Sequence, residues 1–307
     1  MFRFIKTDSK RSKKICRIIL LIILVICFFA NFFVASLAKD NDEIKQILAA
    51  ENLEQEVKVD VYIFRNYQGP PYDFDIFQIY KGEQLVYQSE VGFEYWVEED
   101  DSLLRVGDDI TDDDIANLIV FNLSGGNFFP LSCYVFSLGE QFRLIKILPH
   151  GHFEDINQDD KLDYITYETG FSYWNAAHAF SPAPKIVYEY CDYNYLLAPT
   201  LMYQPMPSQK EINQAFSRTK QDMVICEKKG WKDNCWYDEE TCLPPSVWSY
   251  MLDLMFTGHP DEAYDFLNQV WPEGKAGKSN FIHDFERQLK EQTIWPILAP
   301  VFTRINK

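Results

Sequence analysis

Apolar positions along this chain follow two rhythms. Between Val57 and about Tyr203, residues rich in Tyr, Phe, Val and Ile alternate with polar ones, as in Lys58–Phe64 and Phe74–Tyr80. A period of two is the signature of a half-buried strand. Phe74–Tyr80 runs through Lys81-Gly82-Glu83-Gln84 into Leu85–Gln88, so a hairpin is expected there. Leu118–Phe121 and Leu162–Thr169 also read as strands. From Ser208 onward the spacing becomes helical. Ser208 with Glu211 forms a capping pair, Pro244-Pro245 opens a helix through Val247–Leu252, and Gly258 closes it. Asp261–Trp271 and Ser279–Leu289 predict two more amphipathic helices. Leu252, Met255, Phe256, Tyr264 and Leu267 should pack within one αα-hairpin; no second copy at a repeat period accompanies it. The expected fold is therefore α+β, with an antiparallel β domain over 39–205 and a small helical bundle over 206–307.

Two acidic loops interrupt the strand pattern. Asp155, Asn157, Asp159 and Asp163 occupy positions 1, 3, 5 and 9 of the downstream loop, and Asp109, Thr111, Asp113 and Asn117 occupy the same positions upstream. Side-chain oxygens at alternate positions of a tight turn suit calcium, a hard cation that takes six to eight oxygen ligands. A helix-loop-helix site would need Glu at position 12, where Thr166 stands, and the following residues read as a strand. Thr111 is a neutral ligand, so the upstream loop should be the weaker of the two. Both loops feed strands and start 46 residues apart, an offset that fits repeated antiparallel units. Without a metal, the same residues make acidic turns, since Asp and Asn are ready turn formers.

The order loop, strand, Ser124-Gly125-Gly126, strand, loop and the aromatic run Phe171-Ser-Tyr-Trp174 resembles the FG-GAP and VCBS-type β-repeats. The stretch from about Asp108 to Trp174 is similar to a family of bacterial exported envelope proteins. The resemblance implies a propeller-like β-repeat domain with structural calcium in both loops. This chain departs from that pattern at loop position 6, where Asp114 and Asp160 replace glycine, and at Asn127-Phe-Phe-Pro130, where a His-Cys-Cys run is usual.

Residues 1–17 carry seven Lys or Arg against Asp8 alone, and Ile18–Phe29 is an unbroken apolar run. That asymmetry predicts export, with the basic end inside. Ser36-Leu-Ala38 supplies small residues for cleavage before Lys39, whereas Ile15–Leu37 is long enough to stay as a membrane anchor, so residues 1–38 read as signal peptide or anchor. The expected location is periplasmic, or inner-membrane anchored with the remainder outside the cytoplasm. Past Ala38 there are 22 basic against 45 acidic residues, a formal charge of −23. Such a surface repels polyanions, which argues against nucleic acid. Glu98–Asp101 and Asp108-Asp109 would instead attract divalent cations.

Five cysteines lie beyond the targeting segment, and Cys226, Cys235 and Cys242 sit in a polar connector where a disulfide would help. Zinc is disfavoured because no C-x-x-C pair occurs. Gly274–Ser279 ends like a phosphate-binding loop but has Pro272 where glycine is required. His150, His152 and Glu154 lack a further ligand at recognisable spacing, and Asn122-Leu-Ser124 is a formal glycosylation sequon. Phe171, Tyr173 and Trp174 could stack on sugars or fill a core. With no nucleophile or acid–base pair at a telling spacing, the expected function is an exported binding module with structural calcium and a protein or glycan partner in the envelope. The alternative is a hydrolase of an envelope polymer, using acids near Asp155 and Asp163.

Overall fold

The structure is a computed structural model that describes residues 43–50, 52–69, 74–97, 104–123, 131–229 and 243–305. The signal or anchor over 1–38, the Ser124-Gly125-Gly126 turn, Asn127–Pro130, the Glu98–Asp101 cluster, Cys235 and Cys242 lie outside those residues. Helices and antiparallel sheets are mixed, and among the described residues none of the sheets closes on itself. No described helix is long and apolar enough to cross a membrane.

The chain divides into two compact units, one of residues 1–106 and 119–131 and the other of residues 107–118 and 132–307. The first unit holds helix α1 over 43–49 and strands β1 (Leu53–Val59), β2 (Tyr62–Gly69), β3 (Phe74–Lys81), β4 (Gln84–Gln88) and β5 (Glu94–Trp96). It also takes most of β6 (Asn117–Leu123), which pairs antiparallel with β5. β1 to β4 form a meander in chain order. The expected Lys58–Phe64 strand is instead cut by a turn at Asp60-Val61, with Val59 opposite Tyr62. Asp60 is left-handed, φ 52°, a conformation Asp tolerates at a turn. The break puts Val57, Tyr62 and Phe64 into the core and leaves Val61 outside. Phe77 is its centre, with its ring 5.5 Å from Phe64 and 4.9 Å from Tyr95. The Lys81–Gln84 turn forms as expected, with Gly82 at φ 60°.

The second unit contains β7 (Leu131–Leu138) from Ser132 on, β8 (Phe142–Pro149), and a second meander of β9 (Gly151–Glu154), β10 (Asp163–Tyr167), β11 (Lys185–Cys191) and β12 (Asn194–Leu197). Helices α2 (Pro199–Met202), α3 (Gln209–Lys229), α4 (Pro245–Phe256), α5 (Pro260–Val270), α6 (Lys278–Glu291) and α7 (Trp295–Ile305) follow. Ser208 and Glu211 form the expected capping box, the Ser208 amide and hydroxyl both donating to Glu211 Oε2 at 2.7 Å. Gly258 ends α4 in the left-handed region, φ 99°.

Strand and helix residues share one core in this unit. Ile186 and Val187 of β11 pack with Trp248, Met251 and Leu252 of α4, Leu267 of α5, Phe281 and Phe285 of α6 and Phe302 of α7. Phe171 is fully buried there and Trp174 packs against it at 5.2 Å, so two of the three candidate sugar platforms are core. Tyr173 is the exposed one.

Candidate metal loops

The downstream loop is the connection of the β9–β10 hairpin, bounded by Glu154 opposite Asp163. The upstream loop leads into β6 after β5. Although their residues differ, the two loops fold alike. Positions 4 and 6 are left-handed in both, with φ 51° and 60° at Asp112 and Asp114 and φ 62° and 68° at Gln158 and Asp160. At position 6, where the resemblance implies glycine, Asp114 and Asp160 adopt the glycine conformation nonetheless.

Side-chain oxygens fix these turns by capping the loop's own backbone. The position 1 carboxylate collects amides from ahead: Asp155 accepts from Gln158 at 2.7 Å, Asp159 at 3.2 Å and Asp160 at 3.3 Å. Asp109 accepts from Thr111 at 3.0 Å, Asp113 at 3.3 Å and Asp114 at 2.7 Å. Position 5 accepts from the amide two residues on, Ile115 for Asp113 and Lys161 for Asp159. Position 9 is the first residue of the following strand and accepts from the amide of position 2, Ile110 to Asn117 at 2.9 Å and Ile156 to Asp163 at 3.1 Å. These are the Asx-turn bonds that short acidic side chains make best.

Burial separates the eight candidates. Asn117, Asp163 and Thr111 are buried, Asp113 and Asp155 half-buried, and Asp109, Asn157 and Asp159 exposed. Burial pushes the Asp163 carboxyl up to about 6, and Glu189, Asp159 and Asp155 add to the rise by repulsion. The downstream loop therefore concentrates negative charge around a poorly hydrated carboxyl.

One contact links the loops across the chain, and another ties the upstream loop to β11. The Leu162 amide donates to the Ile110 carbonyl at 3.0 Å, and Tyr190 of β11 donates to Asp113 Oδ2 at 3.4 Å. The Arg143 guanidinium in turn donates to the Tyr190 hydroxyl at 3.5 Å and lies over the Tyr193 ring at 5.1 Å. Neither Tyr190 nor Arg143 stands out in the sequence, because nothing in local spacing marks a partner so distant along the chain.

Among the described residues, no three His, Cys, Asp or Glu side chains converge as a metal-holding group. His150 is exposed, and His152 lies 3.7 Å from Glu154 with both side chains more than half exposed. The donor sets nonetheless suit a hard cation: three carboxylates and an amide oxygen downstream, two carboxylates, a hydroxyl and an amide oxygen upstream. A carboxylate offers about four lone-pair sites, so accepting two or three amides leaves capacity for a cation.

Cys133 and Cys226 are buried and Cys191 is exposed. Asn122 of the sequon is buried in β6, which withdraws its amide from a glycosylating enzyme. Compared with known proteins, the chain matches no family model, no curated protein and no solved structure.

Proposed function

We propose that this chain is an exported, envelope-associated binding module whose two acidic loops take calcium as a structural ion. Its partner is a protein or glycan of the envelope, met by the strongly acidic part beyond residue 38. The observation that carries the reading is the shared conformation of the loops: left-handed at positions 4 and 6, capped from position 1, and tied from position 9 back to position 2. Two different sequences reach one backbone that keeps carboxylate and amide oxygens on a short turn. The two meanders, and the entry of each loop into the second strand of an antiparallel pair, favour a propeller-like repeat as the finer fold.

Calcium here would neutralise charge rather than react. Asp155, Asn157, Asp159 and Asp163 would hold it downstream, and Asp109, Thr111, Asp113 and Asn117 upstream. Chelation followed by millimolar calcium should raise the melting temperature, growing as RT ln(1 + [L]/Kd). Asp155→Ala with Asp159→Ala should remove most of that gain; Asp109→Ala with Asp113→Ala should remove less, because Thr111 already makes the upstream site weak. An unchanged wild-type melting temperature across the titration reduces the loops to acidic turns.

One observation favours the hydrolase alternative: Asp163, with a carboxyl at about 6, is tuned as a general acid would be. Its burial at 1% exposure keeps it from a polymer, which is why the structural reading stands first. Loop variants that stay fully folded but lose a polymer-cleaving activity would reverse that order.

A further inference from the structure

Helices α3, α4 and α5 line a cleft of about 390 Å³ that the proposed function does not use. Two of them contribute in the same way. α3 supplies Gln209, Ile212, Asn213 and Phe216, and α5 supplies Glu262, Asp265, Phe266 and Gln269. Each set has the spacing i, i+3, i+4, i+7, which puts it on one face of its helix. Tyr250 and Leu254, one turn apart on α4, also line the cleft. Leu254 and Phe266 are buried, and the Tyr250 ring meets Phe266 edge-on at 4.7 Å, so this part of the lining is packed and fixed. Ile212, Phe216 and Tyr250 are only half-buried and leave apolar surface for an occupant.

The charge of the lining is one-sided. It holds two carboxylates, Glu262 and Asp265, and no Lys, Arg or His. Both are exposed, and neither forms an ion pair with a described residue. Glu262 stands in the first turn of α5, where the helix dipole favours a carboxylate, but Asp265, one turn further on, has no such reason to be acidic. The negative potential reaches the aromatic part of the lining as well. Burial pushes the Tyr250 hydroxyl above the usual tyrosine range, and the charges of Glu211 and Asp253 push it further. Lys220, whose ammonium lies over the Phe216 ring at 4.5 Å, lines a different cleft together with Glu227 and Glu273.

Charge and size together select the occupant. An anion is repelled, and a neutral apolar molecule leaves both carboxylates without a partner. The volume is that of a small-molecule site, near the lower end of the range of about 300–1,000 Å³. We propose that the cleft between α3, α4 and α5 binds a small organic cation, an ammonium group carried on an apolar body. Glu262 and Asp265 hold the ammonium, and Ile212, Phe216 and Tyr250 pack against the body. The site goes beyond the envelope-partner reading and needs no calcium in the acidic loops, so EDTA keeps the two apart.

The test uses the full chain in a non-ionic detergent with EDTA and a matched series of probes: 4-phenylbutylamine, 4-phenylbutanol and 4-phenylbutyrate. Calorimetric titration, with the heat of mixing into detergent alone subtracted, gives the affinities, and amide hydrogen exchange read by mass spectrometry gives the place. The amine should bind about tenfold more tightly than the alcohol, the butyrate should not bind, and the advantage of the amine should shrink in high salt. The amine should slow exchange in α3 and α5. Glu262→Gln with Asp265→Asn, both at exposed positions, should bring the amine to the level of the alcohol and leave the alcohol unchanged. Equal affinity for amine and alcohol in the wild type overturns the proposal, as does an undiminished amine affinity in the double variant or protection confined to other elements. Tighter binding of a blocked Phe-Lys-Leu tripeptide than of the amine overturns the small-molecule occupant in favour of a protein segment.

Discussion

Glu168 shows how a single carboxyl is committed to holding segments together. It is half-buried at the end of β10 and accepts from the Gly170 amide at 3.0 Å, and also from the amides of Thr169 and Ile294, the residue before α7. Burial pushes its carboxyl above the usual glutamate range, outweighing those three donors. With the folded value above the unfolded one, the native state binds the extra proton. Glu168 therefore favours folding at acid pH, and that contribution fades as pH rises through its folded value. Glu168→Gln keeps an acceptor but not the titration. In EDTA, melting temperatures between about pH 4 and 7 should fall less steeply for the variant than for wild type. Parallel curves would assign the wild-type slope to other groups. The residue scale also explains what the sequence revealed of the loops: each cap reaches only two to seven residues along the chain, so spacing alone exposes it. The Asp113–Tyr190–Arg143 chain depends on strands far apart in sequence, and no local pattern betrays it.

At the scale of elements, the β9–β10 hairpin carries the downstream loop, and Gly151 limits how closely its strands approach. Gly151 lies opposite Thr166, and a Cβ at this position would collide with the Ile165 carbonyl oxygen and come 2.8 Å from the Tyr164 ring. Tyr164 is buried and its hydroxyl is bonded to the Pro149 carbonyl, so neither neighbour gives way easily. Gly151→Ala should cost about 1–3 kcal/mol, the usual range for overpacking. It should appear in urea as a lower midpoint with an unchanged slope, and also as weaker calcium protection of the downstream loop. An unchanged midpoint would show that the hairpin shifts at no cost. Elements were legible where one face is buried and the turn is short: Phe74–Tyr80, Leu118–Phe121 and α4 to α6 lie within the expected runs or a few residues of them. Lys58–Phe64 misled because alternation continues unbroken through a two-residue turn. α7 was hidden by its prolines, since Pro296 falls in the first turn, where the missing amide is harmless, and Pro300 lies inside the helix.

At the scale of the whole molecule, charge and compartment decide what the chain can meet. A formal −23 beyond residue 38, behind a segment with seven basic residues and an apolar run, predicts that the acidic part crosses the membrane while the basic end stays behind. An outward acidic surface repels anionic polymers and attracts cations, consistent with the proposed calcium loops. Cys191 offers the direct test. It is exposed at the end of β11, whereas Cys133 and Cys226 are buried and would report unfolding rather than location. In cells with a permeabilised outer barrier and an intact inner membrane, a membrane-impermeant maleimide should label Cys191 after mild reduction. Cys191→Ser should remove that increment of label and leave any signal from the other cysteines in place. Labelling of Cys191 only after the inner membrane is lysed would place the β meander inside, remove the envelope partner from consideration, and leave the loops in a compartment where free calcium is scarce.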